Sequence, residues 1–157
     1  MTFWNEKAAF SSRDNTWTTP QDFYEELHKE FNFGLDAAAL ESSALCSEWY
    51  GPDHPQENRR DALTRNWTED AAGKTIWLNP PYGRSIKEWV KKADRESARG
   101  GVVVCLVPAR TDTAWWWDYC IDHEVRFIRG RLKFGNQPNS APFPSAVIIM
   151  GRQAGAK

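Results

Sequence analysis

Apolar residues along the chain fall into two periods, and the places where one period gives way to the other predict the elements. Phe23, Leu27 and Phe31 recur at i, i+4 and i+8 with Tyr24 beside them, behind Thr19, Pro20 and Asp22. That spacing predicts an amphipathic helix over roughly 20–31, with Thr19 as N-cap and Pro20 at the first helical position. Residues 33–39 (FGLDAAA) read as a short strand running into small residues. Ile86, Trp89, Val90 and Ala93 mark one face of a second helix over about 86–98. A Ser85…Glu88 capping box would open it and Gly100-Gly101 would close it. Residues 101–108 (GVVVCLVP) form a near-continuous apolar run, as in a parallel strand buried on both faces. Thr111 or Thr113 starts a further helix carrying Trp115, Trp116, Trp117 and Ile121, whose consecutive tryptophans must face different directions.

Residues 125–134 alternate around Phe127, Ile128 and Leu132, and residues 146–150 are a last apolar strand. Between them GNQPNSAPFP is turn chemistry throughout. Over 40–67 the pattern is weak, giving mostly loop with a short strand near 44–49; so long a structureless loop suggests function. Strand, helix, strand, helix, strand predicts an α/β fold, three-layered, around a mostly parallel sheet. The expected organisation is a flexible arm over 1–16, one domain over 17–152 and a tail over 153–157.

At 157 residues the chain can bury a sizeable core. Its 20 Lys and Arg balance 21 Asp and Glu, so net charge points to neither nucleic acid nor membrane. The distribution changes that picture. No acidic residue follows Glu124, whereas Arg126, Arg129, Arg131, Lys133, Arg152 and Lys157 do. This cationic third is either a phosphate-facing surface or a solvated strand face with a tail. Cys46, Cys105 and Cys120 are widely spaced without a C-x-x-C pair, which fits a reducing cytosol and no disulfide framework. His28, His54 and His123 are isolated, so no metal site is expected. No apolar stretch approaches the ~20 residues of a membrane span, and neither secretion nor membrane insertion is expected.

The stretch TIWLNPPYGRSIKEW, residues 75–89, carries the most specific chemistry. Neither a strand nor a helix interior tolerates Pro-Pro, because each ring removes a backbone donor and fixes φ. Ile76, Trp77 and Leu78 therefore read as a strand that ends at Asn79. Asn79-Pro80-Pro81-Tyr82 would then be a rigid loop between strand and helix, where ligands bind in open α/β sheets. An adenine amine is a poor nucleophile because its lone pair is delocalised into the ring. Two acceptors aimed at its hydrogens, the Asn79 side-chain oxygen and the Pro80 carbonyl, favour the pyramidal geometry of attack. Tyr82 offers a ring on which a base stacks, worth ~1–3 kcal/mol. Catalysis would come from positioning and fixed dipoles, without a strong general base. The plainer alternative is a Pro-Pro turn with a packed Tyr.

NPPY after a strand resembles the catalytic motif of amino-methyltransferases that use S-adenosylmethionine. The wider pattern is similar to the phage DNA N-6-adenine methyltransferase (Dam-like) family. It is carried by TWTTPQDFYEEL, FGLDAAAL, DALTRNW, WLNPPYG, LVPARTDTAWW and GRLKFGNQPNSAPFPSAVI, in order from residue 16 to about 149. The resemblance implies a methyltransferase-type Rossmann three-layer sandwich with an antiparallel last strand. It further implies methylation of adenine N6 in double-stranded DNA, with the base flipped into the Asn79–Tyr82 pocket at a cost of a few kcal/mol. Asn79, Pro80, Pro81 and Tyr82 become the expected catalytic set. Trp17, Thr19, Pro20, Asp36, Ala37, Ala38 and Asp61 become the expected cofactor residues, with Trp49, Tyr50 or Trp67 as ring packers. In this reading small residues let backbone approach the methionine part, the helix start receives its carboxylate, and Asp61 accepts from the adenine amine. The chain departs from many methyltransferases in having alanines where a glycine-rich F-x-G-x-G would follow the first strand.

Arg84, Lys87, Arg110, Arg131 and Lys133 would clamp DNA phosphates as a group, and Phe143 in SAPFPS would be a second wall for the target base. For Phe143 an apolar anchor of a Pro-rich loop is the equal alternative. The setting implied is the cytoplasm of a bacterial host, the gene carried by a phage or prophage. Dimerisation on DNA would compensate for the lack of a separate recognition domain, leaving specificity to 40–67 and 135–144. Two other readings stay open: an NPPY enzyme acting on RNA or a protein glutamine, and a nucleic-acid-binding relative without catalysis.

Overall fold

A computed structural model describes residues 17–151. The expected arm over 1–16 and the tail, with Arg152 and Lys157, lie outside the described residues. Six strands form one sheet in the order β2-β1-β3-β4-β6-β5. They are β1 Phe33–Asp36, β2 Glu48–Trp49, β3 Thr75–Leu78, β4 Val103–Pro108, β5 Glu124–Phe127 and β6 Ser145–Met150. β2, β1, β3 and β4 pair in parallel. β6 runs antiparallel to both of its neighbours, β4 and β5. The mostly parallel α/β sheet and its antiparallel last strand are thus as expected.

Both faces of the sheet are covered, and the strand sequences say why. Trp77 meets Tyr24 of the first helix, α1 (Gln21–Phe31), edge to face at 5.4 Å. Ile76 and Leu78 flank Trp77 and point to the opposite face, yet they are fully buried too. A strand wet on one side would alternate; TIWL does not. The following helix, α3 (Ile86–Ala98), buries Ile86, Trp89, Val90 and Ala93, the face the spacing predicted.

Several local expectations fail for physical reasons. Pro20 occupies the N-cap position of α1, and no side chain caps the helix; the Thr19 hydroxyl is engaged elsewhere. Ser85 is already in a helical conformation and caps nothing with its hydroxyl, so the capping box does not form. The segment over 40–67 is not structureless. It holds β2 and two 3₁₀ turns, Glu57–Arg59 and Ala62–Thr64, and leads into a short helix, α2 (Trp67–Asp70). Asn66 caps α2 by accepting from the Glu69 N–H at 3.0 Å.

The Trp-rich helix is a π turn, Trp116–Cys120, closed by the Ile121 N–H donating to the Trp116 carbonyl at 2.9 Å. Trp116 is buried while Trp117 is 60% exposed, as expected of adjacent helical residues. β5 stops at Phe127, seven residues short of the predicted end, because Gly130 (φ +77) turns the chain away. Among the described residues no helix is long and apolar enough to cross a membrane.

Strand order decides where a site can form. β1 has β2 on one side and β3 on the other, so the chain leaves β1 in opposite directions at this point. A crevice opens beyond the carboxyl ends of such a strand pair. Those ends are Asp36 and Leu78, and the next residue after Leu78 is Asn79.

Candidate active site

Asn79 begins where β3 can no longer pair. Its side-chain nitrogen donates to the Trp17 carbonyl at 2.5 Å and to the Thr19 hydroxyl at 2.9 Å. Both amide hydrogens therefore have acceptors, which settles the orientation of the carboxamide. Its oxygen turns the other way and accepts from the Tyr82 hydroxyl at 3.0 Å. The same hydroxyl also lies 3.0 Å from the Leu106 carbonyl on β4, so one proton is shared between two acceptors. Burial raises the Tyr82 phenol well above its usual range. It stays protonated at working pH and acts as a donor, never as a base.

Two cavities open at this loop, Asn79 lining the first and Tyr82 the second. The first, about 460 Å³, is lined by Asp36 and Ala38 beyond β1, by Asn79, Pro80 and Pro81 beyond β3, and by the 42–45 loop. The second, about 430 Å³, is lined by Tyr82, Ile86, Pro108, Arg110, Trp115 and Phe143. Trp17 lines both. Its indole meets Phe143 edge-on at 5.1 Å and Phe134 at 5.4 Å, and lies near-parallel to Tyr82 at 6.4 Å. Offset and edge-on pairs of this kind add to burial, so the one residue common to both cavities is held in a packed aromatic set.

Asp36 is the buried charge of the first cavity. Its carboxylate accepts from the Ala38 N–H at 3.3 Å and the Leu45 N–H at 3.0 Å, tying the 38–45 loop to the end of β1. Burial pushes its carboxyl up to about 7, against the pull of those two N–H groups. A profile of the family described as DNA N-6-adenine-methyltransferase (Dam) matches residues 7–153.

The chain belongs to that family.

A DNA N-6-adenine-methyltransferase of Escherichia phage T1 is 33% identical over 101 residues, which cover 64% of this chain and 38% of that protein. The corresponding protein of Haemophilus phage HP1 (strain HP1c1) is 25% identical over 130 residues, 80% of this chain and 69% of its own length. The match thus spans well under half of the T1 relative.

Within this Dam-family fold, the residues singled out from sequence divide into three groups. Trp17, Thr19, Asp36, Ala38, Asn79, Pro80 and Pro81 converge on the first cavity. Tyr82, Arg110 and Phe143 converge on the second. Pro20, Ala37 and Asp61 line neither. Ala37 is buried, its N–H donating to the Trp77 carbonyl at 2.9 Å. Asp61 precedes the Ala62–Thr64 turn, and its Oδ1 is buried with no hydrogen-bond partner among the described residues. The expected ring packers also move away from the cavity. Tyr50 and Trp67 are core residues, held by Asp70 and by the Ala62 carbonyl, and Trp49 packs on His54 at 4.3 Å.

Tyr82 differs from its expected role as an open stacking surface. Its ring is only 5% exposed, packed edge-on by Phe134 and Phe143. Arg84, Lys87, Arg110, Arg131 and Lys133 are exposed and form no ion pair among the described residues. Arg126 behaves otherwise: it pairs bidentately with Glu30 at 2.7 Å and with Glu124 at 2.7 Å, so it serves the β5 edge. Sequence reading missed Ser42, Ser43, Asn136 and Trp115 as lining residues. Asn136 lay in a recognised turn, but nothing local says where that turn docks. Among the described residues no cluster of His, Cys, Asp or Glu is arranged to hold a metal.

Proposed function

We propose that this chain transfers a methyl group from S-adenosylmethionine to the N6 amine of adenine in DNA. The observation that carries the proposal is the Asn79 carboxamide, fixed by three hydrogen bonds at the wall of the first cavity and joined by one of them to Tyr82, which lines the second. The first cavity suits the methyl donor. Ligand pockets run from about 300 to 1,000 Å³, and Asp36 places a carboxylate where a cationic ammonium or sulfonium would sit. Asp36 and Ala38 would hold that ligand; Asp61, away from the cavity, would not. When bound, S-adenosylmethionine supplies an electrophilic methyl carbon whose bond to sulfur breaks as the bond to nitrogen forms, the electron pair staying on sulfur.

The chain's own residues prepare the nitrogen. The Asn79 oxygen and the Pro80 carbonyl accept from the two N6 hydrogens, drawing the amine out of conjugation. The Pro80 carbonyl takes no hydrogen bond among the described residues, and the two prolines hold it rigid. After transfer the nitrogen is cationic and strongly acidic, and it sheds one proton to solvent without a dedicated base. Tyr82, Phe143 and Trp115 form an apolar box for the base in the second cavity, which a base in a duplex reaches only by flipping out. Arg110 at its rim and the exposed cations around it face the phosphates.

A labelled methyl-transfer assay over duplex DNA, RNA and a glutamine-bearing protein tests the proposal. Label on adenine N6 in DNA is the expected result. Label on RNA or protein alone would overturn the substrate, and donor binding without any transfer would favour a non-catalytic binding protein. Arg110→Ala should weaken DNA binding about three- to tenfold and lower the salt slope by about one phosphate contact, with donor affinity unchanged; fluorescence anisotropy across a salt series measures this.

Asp36 gives a pH prediction. Its folded value, about 7, lies above the ordinary 3.8, so the neutral form is favoured without ligand. Stability from this group is fully present below about 4 and is lost as pH rises through about 7, when a buried charge must be carried. A cationic ligand favours that charge, so donor affinity should rise from pH 6 to pH 8 as a proton is released. Calorimetry at both pH values should show this slope in the native protein and a flat response in Asp36→Asn.

A further inference from the structure

Residues 17–19 run as a strap along the first cavity, tied at two places. The Trp17 carbonyl and the Thr19 hydroxyl take the two amide hydrogens of Asn79. Thr18, between them, is fastened to the loop after Phe134: its N–H donates to the Asn136 side-chain oxygen at 3.0 Å, and its carbonyl accepts from the Gly135 N–H at 2.9 Å. The helix that follows has Pro20 at its N-cap and no side-chain cap, so Thr19 stands one residue ahead of the capping position. Its hydroxyl is therefore not a cap and accepts from Asn79 instead. Thr19 is nonetheless buried, and it lines the first cavity together with Asn79.

We propose that Thr19 is a positioning residue for Asn79, and that the 17–19 strap, buckled by Asn136, sets the direction of the Asn79 oxygen. The inference rests on the function proposed above. An unheld carboxamide can turn over, presenting NH₂ to the adenine amine and setting donor against donor. Two acceptors on its nitrogen prevent that turn. They also polarise the amide, because hydrogen bonds in a chain strengthen one another, which makes the oxygen a better acceptor at the moment of attack. The buckle adds a consequence. Asn136 follows Arg131 and Lys133 by a few residues, so a phosphate held by those cations bears on the loop that fixes the strap. DNA engagement and Asn79 alignment then share one mechanical element.

Thr19→Val keeps the shape and removes the hydroxyl. The expected result is a kcat lower by about 10- to 100-fold, the usual scale of a misplaced reacting group, with KM for DNA and donor affinity within about threefold. Thr19→Ser should restore kcat to within about threefold of the native value, and Asn136→Ala should lower it in the same sense by less. Nitrogen-15 NMR gives a readout independent of turnover: the Asn79 side-chain amide signals should shift and exchange faster in Thr19→Val, but not in Thr19→Ser.

A Thr19→Val kcat within about twofold of native, or amide signals that do not move, overturns the inference. So does a loss confined to donor affinity, which would make Thr19 a ligand contact only. These outcomes are separable from failure of the proposed function. If native protein transfers no methyl group, or Asn79→Ala transfers it normally, the functional reading falls. If native protein is active, Asn79→Ala is dead and Thr19→Val is normal, the strap alone is wrong.

Discussion

Turnover by the Asn79→Ala variant should fall by about three orders of magnitude, the scale on which a single preorganised dipole acts in a water-poor site. The truncation removes the acceptor for the adenine amine and releases three contacts at once: the Trp17 carbonyl, the Thr19 hydroxyl and the Tyr82 hydroxyl. Tyr82 retains the Leu106 carbonyl as partner, so the second cavity should keep its shape. Asp36 and the 38–45 loop are held from β1 and do not depend on Asn79. Donor affinity should therefore stay within about threefold while kcat collapses, the signature of an interaction made in the transition state. Asn79→Asp should fall between the two. It keeps an oxygen toward the base, and the Thr19 hydroxyl can rotate to donate to it, but the Trp17 carbonyl would face a second acceptor. Single-turnover methylation with calorimetry on each variant decides the matter; Asn79→Ala turnover within tenfold of native would end the assignment.

Gly51→Ala should be the most damaging small substitution in the fold. A Cβ at this position would lie 1.8 Å from the Ala39 carbonyl oxygen and 2.9 Å from Trp49 Cζ3. The Ala39 N–H donates to the Tyr50 carbonyl at 2.9 Å, and the Tyr50 N–H to the Asp36 carbonyl at 3.0 Å. The chain segments leaving β1 and β2 therefore run flush, and one methyl group must force them apart. Overpacking of this kind costs about 1–3 kcal/mol or more, and each kcal/mol lowers Tm by roughly 2–4 °C at this size. Because Ala39 lines the first cavity, donor affinity should fall as well. Scanning calorimetry and a donor titration check both, and a variant with native Tm and affinity would show that the loops part without cost.

What the sequence discloses is what repeats along it. α3 was readable to the residue because its buried face recurs every three or four positions, and β3 and β4 because both of their faces are buried. Asn79–Tyr82 was readable because Pro-Pro breaks that pattern abruptly and carries its own chemistry. The rest depends on partners distant along the chain. Thr19 looks like a cap, but Pro20 holds the N-cap and the Thr19 hydroxyl accepts from Asn79, sixty residues away. The 40–67 segment has no period because polar contacts hold it: Asp36 to the Leu45 N–H, and Tyr50 to Asp70 at 2.5 Å. Asp61 was placed at the ligand by resemblance, but the turn it precedes does not reach the cavity. Asn136 lines the first cavity and accepts there from Thr18, 118 residues earlier.

The position of β6 has a consequence for how the molecule is assembled. β4 and β5 are made before it, yet they have no pairing with each other and meet only through it. During synthesis the long apolar edge of β4 must wait, uncovered, for residues 145–150 to emerge. An uncovered edge of that kind is a template for pairing with other chains. A nascent chain stalled before the last strand should be the form of this protein most in need of a chaperone.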